Sequence, residues 1–232
     1  MPAYHSAPDV PARGGILVLH EVFGITPHIE SVCQRFAGQG WEALAPALFH
    51  RDGSPVIGYS EPAAGVTHMN ALTVHRISAD LDAATSWLNG IGWRGQSVGA
   101  IGFCMGGSIS LYAATTRRFG AAVTFCGVGL VQAQAGLPPL VELAPAIRCP
   151  WLGIYGSLDS RAPAGQVNAL RDAAAAAPGP TEVVVYEGAG HAFNCDARPD
   201  RYNPAAAASA WQRALRHFDD NLGSDRPIIR LD

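Results

Sequence analysis

A cysteine with a glycine two residues before it and another two residues after it is the feature of this sequence that most clearly suggests chemistry. Cys104 comes two residues after Gly102, two residues before Gly106, and just after the apolar segment 97–101. A nucleophile on a sharp strand-to-helix turn needs small residues at these two positions, because the backbone there leaves no room for a side chain. The spacing predicts that Cys104 is a nucleophile and that the Met105 N–H is an oxyanion donor. The alternative is a small buried core thiol.

Two further residues occupy the places that partners of such a nucleophile would take. Asp159 follows the apolar segment 151–155, and His191 follows the segment 182–186. The order nucleophile, acid, histidine is that of α/β-hydrolase chains, and open α/β sheets bind ligands at the carboxyl ends of their strands. Taken alone, Asp159 could equally be a turn residue or a helix cap, and His191 could equally be a structural histidine. Together with Cys104 they predict a catalytic triad.

The elements that must position these residues are short apolar runs alternating with longer amphipathic stretches. This alternation predicts an α/β fold: a single doubly wound, mostly parallel sheet with helices on both faces, forming one domain over residues 1–232. The predicted strands are 15–19, 42–45, 97–101, 121–125, 151–155 and 182–186, and the predicted helices are near 28–38, 72–89, 105–116, 163–176 and 204–221. Segments 50–70 and 127–148 are expected to be loops or short irregular helices that form a lid.

The composition excludes several classes of function. Of the 232 residues, 48% are hydrophobic and 15% charged, which is typical of a globular protein. All 16 basic residues are arginine, so a Schiff-base lysine, a P-loop lysine and a Ser-x-x-Lys pair are excluded. With 19 acidic residues the net charge is −3, and the arginines are scattered. We therefore expect no nucleic-acid partner.

The cysteines and the N-terminal residues bear on the compartment. Five cysteines are an odd number in a chain too large to need disulfides, which favours a reducing compartment, the cytoplasm. The sequence has no basic region followed by an apolar stretch near Met1 and no window of 18 apolar residues, so we expect neither export nor a membrane span. Cys33, Cys126 and Cys149 are expected to be core thiols. His191 and Cys195 lack a second ligand pair, so no metal is expected.

With these residues in view, the chain resembles the dienelactone hydrolase family, the carboxymethylenebutenolidase-like branch of the α/β-hydrolases. The matching blocks span nearly the whole chain and are 20–24 (HEVFG), 45–49 (APALF), 102–107 (GFCMGG), 156–159 (GSLD) and 188–193 (GAGHAF). The resemblance implies a Cys104, Asp159 and His191 triad that hydrolyses an ester or lactone through an acyl thioester, without a cofactor. It also implies that Glu21 hydrogen-bonds the resting thiol and that the Val22 N–H is the second oxyanion donor.

Substrate recognition is where the sequence departs from the family pattern. Arg51 falls where the family places one arginine that holds a substrate carboxylate, but Cys195 stands where the second is expected. Arg198 or Arg201 is a possible substitute. Phe103 and Tyr59 are also expected to line the pocket.

The predicted activity is hydrolysis of a small lactone or ester by a monomer or homodimer. One alternative is a carboxylesterase for neutral esters, and another is a binding or sensor protein that does not turn its ligand over. A thiol redox enzyme would need a resolving cysteine near Cys104, and no C-x-x-C motif is present.

Overall fold

The computed structural model describes residues 1–223, and its centre is one sheet of seven strands. Along the chain the strands are β1 (Ala3–Ser6), β2 (Gly15–Leu19), β3 (Glu42–Pro46), β4 (Val98–Phe103), β5 (Ala121–Phe125), β6 (Trp151–Gly156) and β7 (Thr181–Tyr186). In spatial order they are β1, β3, β2, β4, β5, β6 and β7. β1 pairs antiparallel with β3, and every other pairing is parallel. The prediction of a mostly parallel sheet is confirmed.

Helices cover both faces of this sheet, as predicted. Ile16 and Val18 of β2 pack into a core with the first and last helices, whereas Leu17 and Leu19 face a core with the third, fourth and sixth. The alternation follows from the period of two in a strand. The helices are α1 (Pro27–Ala37), α2 (Pro62–Asn70), α3 (Val74–Gly90), α4 (Met105–Thr116), α5 (Leu140–Leu143), α6 (Ala164–Ala174) and α7 (Pro204–Asn221).

The structure adds one strand that the apolar pattern did not predict, and it contains short helices in the two segments where loops or short irregular helices were expected. β1 is an exposed edge strand of four residues with little apolar character, so hydropathy gives no signal for it. Within the segment 50–70 lie a 3₁₀ turn (His50–Asp52) and α2. Within 127–148 lie α5 and a second short turn (Ala144–Ala146). None of the helices within residues 1–223 combines the length and apolar character that crossing a bilayer requires.

Candidate active site

The turn after β4 has the geometry that its glycines predicted. Cys104 has φ 54° and ψ −116°, and α4 begins at the next residue. A β-carbon at Gly102 would lie 1.9 Å from the Gly106 carbonyl oxygen, and one at Gly106 would lie 2.1 Å from the Leu19 carbonyl oxygen. No larger residue fits at either position without moving the backbone. The turn therefore holds Cys104 at the N-terminus of α4, where the helix dipole favours a negative charge.

The structure brings the three predicted triad residues together. His191 and Asp159 are joined by a hydrogen bond of 2.8 Å between Nδ1 and Oδ2, and the Cys104 thiol also hydrogen-bonds the His191 side chain. The second oxygen of Asp159 accepts from the Arg161 N–H at 2.9 Å. Both Cys104 and Asp159 are buried, and 11% of the His191 side chain is exposed. The arrangement can pass a proton between the thiol and the imidazole.

The electrostatics of His191 depend on its two partners. Burial alone would lower its pKa, but the charge of Cys104 and the hydrogen bonds to Asp159 and Cys104 outweigh that effect and raise the pKa to about 10. The imidazolium is therefore favoured when Cys104 is a thiolate. A charged pair of this kind supplies the thiolate that nucleophilic attack requires.

The loops after β6 and β7 fix His191 against Asp159. A β-carbon at Gly156 would lie 2.2 Å from the Ala189 carbonyl oxygen, and the Leu158 N–H donates to that same oxygen at 2.9 Å. These contacts tie the histidine loop to the strand end that precedes Asp159. The family motifs at 156–159 and 188–193 therefore form one packed unit.

The segment 20–24 is held in place by a buried histidine. His20 Nδ1 donates to the Glu21 carbonyl oxygen at 2.6 Å, and its Nε2 accepts from the Leu48 N–H at 3.1 Å. Burial lowers the pKa of His20 to about 4, so it is neutral at pH 7 and satisfies both contacts. Gly65 of α2 packs closely on the Val22 carbonyl from another side. His20 therefore has a structural role, because it holds the backbone of this segment against Leu48.

The two predicted oxyanion donors have unused backbone N–H groups. Within residues 1–223, neither the Val22 N–H nor the Met105 N–H donates a backbone hydrogen bond. Buried backbone donors are almost always paired, so unpaired ones beside a nucleophile are expected to serve a ligand. The prediction for Val22 and Met105 is compatible with this arrangement.

Glu21 is buried, with 2% of the residue exposed, and its Oε2 has no hydrogen-bond partner among the described residues. The resemblance implies that this carboxylate receives the resting Cys104 thiol, but here the thiol bonds His191 instead. A buried carboxylate oxygen without a partner costs free energy. The Oε2 atom is therefore available to accept a proton or a hydrogen bond from a group entering the site.

Substituting glutamine for Glu21 should separate activation of the thiol from the later steps. The role that the resemblance gives Glu21, as acceptor of the thiol proton, predicts that Glu21→Gln slows formation of the acyl-enzyme on the order of 10²-fold and leaves hydrolysis of a preformed acyl-enzyme nearly constant. Single-turnover kinetics measure the two steps apart. Equal slowing of both steps, or of neither, would return Glu21 to a structural role.

Of the predicted pocket residues, Tyr59 and Arg198 lie together. Arg198 has its guanidinium carbon 5.3 Å from the ring centroids of both Phe23 and Tyr59. The Tyr59 hydroxyl donates to Thr26 Oγ1 at 3.2 Å and accepts from the Cys195 thiol at 3.6 Å. Arg198 forms no ion pair within residues 1–223, and its Nε is buried without a partner. Its charge is therefore free to meet an anion.

Arg51 and Phe103 are placed differently from the sequence expectation. Arg51 donates through both terminal nitrogens to the buried Asp80, at 2.8 and 2.9 Å, so its guanidinium already pairs with a carboxylate of this chain. The Phe103 ring is 2% exposed and packs against Phe125 in the core formed with α1 and α7, at 5.2 Å between centroids. Because successive side chains of β4 alternate between faces, Phe103 packs in this core, where it lines a cavity together with residues of α1 and α7.

Cys126 is a residue of the site that sequence reasoning missed. Its Sγ, a carboxylate oxygen of Asp159 and a ring nitrogen of His191 all lie within 4.8 Å of one another. Burial raises the pKa of the Cys126 thiol well above its usual value. Cys104 differs in its position, because it lies on the turn where α4 begins. A signal was present: Cys126 follows β5 as Cys104 follows β4, and the register pairs Phe125 with Phe103.

Comparison with known proteins places this geometry in a family. The family model described as "Dienelactone hydrolase family" matches residues 1–222. The chain belongs to the dienelactone hydrolase family. The expected family resemblance is confirmed, and with it an α/β-hydrolase fold and an enzyme that hydrolyses esters or lactones.

Individual members of the dienelactone hydrolase family align over most of this chain. A protein of Escherichia coli O157:H7 named "Putative carboxymethylenebutenolidase" is 37% identical over 223 residues, which is 94% of this chain and 82% of the relative. The "Carboxymethylenebutenolidase" of Rhodococcus opacus is 28% identical, over 96% of this chain and 87% of its own. The crystal structure titled "Putative Dienelactone Hydrolase" from Klebsiella pneumoniae superposes with a TM-score of 0.85 at 32% identity, covering 94% of this chain and 92% of that one.

Proposed function

We propose that this hydrolase opens a small lactone or carboxylic ester by attack of the Cys104 thiolate on the carbonyl carbon. The observation that carries the proposal is the chain of hydrogen bonds from Cys104 through His191 to Asp159, which begins at the turn where α4 starts. The N–H groups of Val22 and Met105 stabilise the oxyanion. The thioester forms as the carbon–oxygen bond of the substrate breaks.

His191 has a different task in each half of the reaction. In the first half the imidazolium gives its proton to the alkoxide that leaves the tetrahedral intermediate. In the second half the neutral imidazole takes a proton from water, whose oxygen attacks the thioester and releases the acid. Asp159 accepts from Nδ1 throughout and keeps Nε2 directed at the reacting atoms. The sequence of steps uses groups of this chain and consumes only water.

Detection of the thioester tests the nucleophile directly. After rapid mixing with a slowly turned-over ester and acid quenching, mass spectrometry of the wild type should show the acyl group on the peptide that contains Cys104. An acyl group on another residue, or none while hydrolysis proceeds, would refute the proposal.

The free guanidinium of Arg198 further supports a substrate that carries a carboxylate. Arg198 lies against the aromatic rings of Phe23 and Tyr59, and this packing removes part of its hydration. A charged donor in such a setting favours an anion, and a guanidinium binds a carboxylate through two parallel hydrogen bonds. Arg198 would then take the role for which the family pattern provides an arginine at the position of Cys195.

Two arginine variants test this assignment against each other. Arg198→Ala should lose about 10- to 150-fold in kcat/KM on a carboxylate-bearing lactone, because one charge-assisted contact contributes roughly 1.5–3 kcal/mol, and should change little on a neutral ester of similar size. Arg51→Ala should affect both substrates equally and lower the free energy of unfolding, because it leaves the buried Asp80 short of a partner. A carboxylate-specific loss in Arg51→Ala, with none in Arg198→Ala, would reverse the two roles.

We further infer a cytoplasmic enzyme built as one domain over residues 1–232, working as a monomer or homodimer on a small molecule. All five cysteines are free thiols, which suits a reducing compartment. One sheet contains all seven strands of the described residues, which supports a single domain. Cell fractionation and light scattering of the purified chain test the location and the oligomeric state.

A further inference from the structure

Three different metal-ligating side chains meet within the candidate active site. The Cys126 sulfur, an Asp159 oxygen and a His191 nitrogen lie within 4.8 Å of one another. Cys126 and Asp159 are buried, and 11% of the His191 side chain is exposed. Cys126 has φ 48°, and its N–H donates to the Ile154 carbonyl oxygen of β6 at 2.8 Å. The thiol is thereby fixed between the ends of β5 and β6 and does not depend on a mobile loop for its position.

The donor set matches the preference of one class of metal. Thiolate sulfur, imidazole nitrogen and carboxylate oxygen are the ligands of Zn²⁺, at about 2.0–2.3 Å each. A tetrahedral ion at those distances needs its ligand atoms about 3.3–3.8 Å apart. The three atoms of this cluster therefore reach zinc geometry through shifts of about 1 Å.

A second observation points to the same place. The Tyr155 hydroxyl is fully buried and has no hydrogen-bond partner within residues 1–223. It lies 3.2 Å from the position that a β-carbon on Gly127 would occupy, directly after Cys126 along the chain. Buried hydroxyls are normally paired, and a water molecule completing the coordination of a metal here would pair this one.

We infer that Cys126, Asp159 and His191 form a zinc site whose occupation inhibits hydrolysis. On binding, the Cys126 thiol gives up its proton to solvent, and the metal replaces the hydrogen bond between Asp159 and His191. The imidazole is then no longer available to Cys104. Zinc binding at these residues stands independently of the proposed function, whereas inhibition rests on the proposed role of His191.

Direct metal binding is the decisive measurement, because it does not require activity. Titrating the full chain with Cd²⁺ should produce the ultraviolet charge-transfer absorption of a cadmium thiolate, and Zn²⁺ should compete it away. Cys104→Ala should keep this absorption, because the sulfur ligand is Cys126. Cys126→Ala and Cys126→Ser should weaken zinc binding by about a hundredfold or more, since even loss of an outer ligand contact costs 10- to 100-fold.

Two other variants complete the design. Cys149→Ala removes another buried thiol, outside the cluster, and should bind as the wild type does. Asp159→Asn retains all five thiols and should nevertheless bind Zn²⁺ more weakly than the wild type does. This variant tests the site even if the Cys126 variants fold poorly. Wild-type hydrolysis should be inhibited by ZnCl₂ and restored by a chelator, and that of Cys126→Ala should resist zinc relative to its own metal-free rate. Absence of binding in the wild type, or binding lost in Cys104→Ala and kept in both Cys126 variants, would overturn the inference.

Discussion

Replacing Cys104 by alanine is expected to abolish hydrolysis, with a loss of about 10⁴-fold or more in kcat, because the thiol that forms the acyl intermediate is removed. The fold should survive, since alanine keeps the β-carbon at the same backbone angles and removes one sulfur atom from a turn. Circular dichroism and the midpoint of urea unfolding check the fold, and a chromogenic ester together with a small lactone checks the activity. Retention of more than a few per cent of wild-type turnover would show that Cys104 is not the nucleophile.

The same variant tests the electrostatics of the site. The negative charge of Cys104 is the foremost cause that raises the pKa of His191 to about 10, so the pKa should fall in Cys104→Ala. A titration of the imidazole resonances by NMR measures this change. Cys149→Ala is the matched control, because it removes a buried thiol that does not contact His191. Cys126→Ala distinguishes the second thiol of the site: if this variant forms no acyl-enzyme while Cys104→Ala does, the nucleophile is Cys126.

Substituting asparagine for Asp159 is expected to lower kcat by about 10³- to 10⁴-fold with little change in the fold. The amide is nearly isosteric but can present an N–H to His191, which favours the tautomer whose Nε2 carries the hydrogen and cannot accept the proton of water. The Arg161 N–H would donate to a neutral acceptor in place of a charged one, which should lower the free energy of unfolding by about 1 kcal/mol.

The control for this substitution is its pH profile. In Asp159→Asn the pKa of His191 should fall, because the hydrogen bond to a carboxylate is one of the causes that raise it. A substitution that merely loosened the loop would lower kcat without moving the profile. Wild-type activity in Asp159→Asn would show that another group orients His191.

The sequence predicted the site best where the backbone itself imposes a residue type. Gly102 and Gly106 cannot be replaced without a clash, so the turn that presents Cys104 could be recognised from spacing alone. Asp159 and His191 follow buried strands, and parallel strands bring their carboxyl ends to one edge of a sheet. Their meeting was therefore predictable without knowledge of any side-chain packing.

What could not be predicted depends on contacts between distant parts of the chain. Arg51 and Asp80 are 29 positions apart, and their pairing becomes visible only when the turn at 50–52 packs against α3. The orientation of Phe103 depends on where β4 ends, and the end of a strand is the least certain part of any prediction. In the sequence Cys126 looks like a core thiol at the end of a strand, and only the register of β4 with β5 places it beside the triad.

The backbone of Cys104 also has a consequence for the evolution and engineering of this enzyme. At φ 54° and ψ −116° a residue with a β-carbon is strained by about 1–3 kcal/mol, whereas glycine is not strained at these angles. The wild type therefore gives up part of its thermal stability in order to hold a side chain at this point. Selection for heat resistance alone would favour an inactive protein with glycine at position 104, so screens for robust variants must select for turnover at the same time.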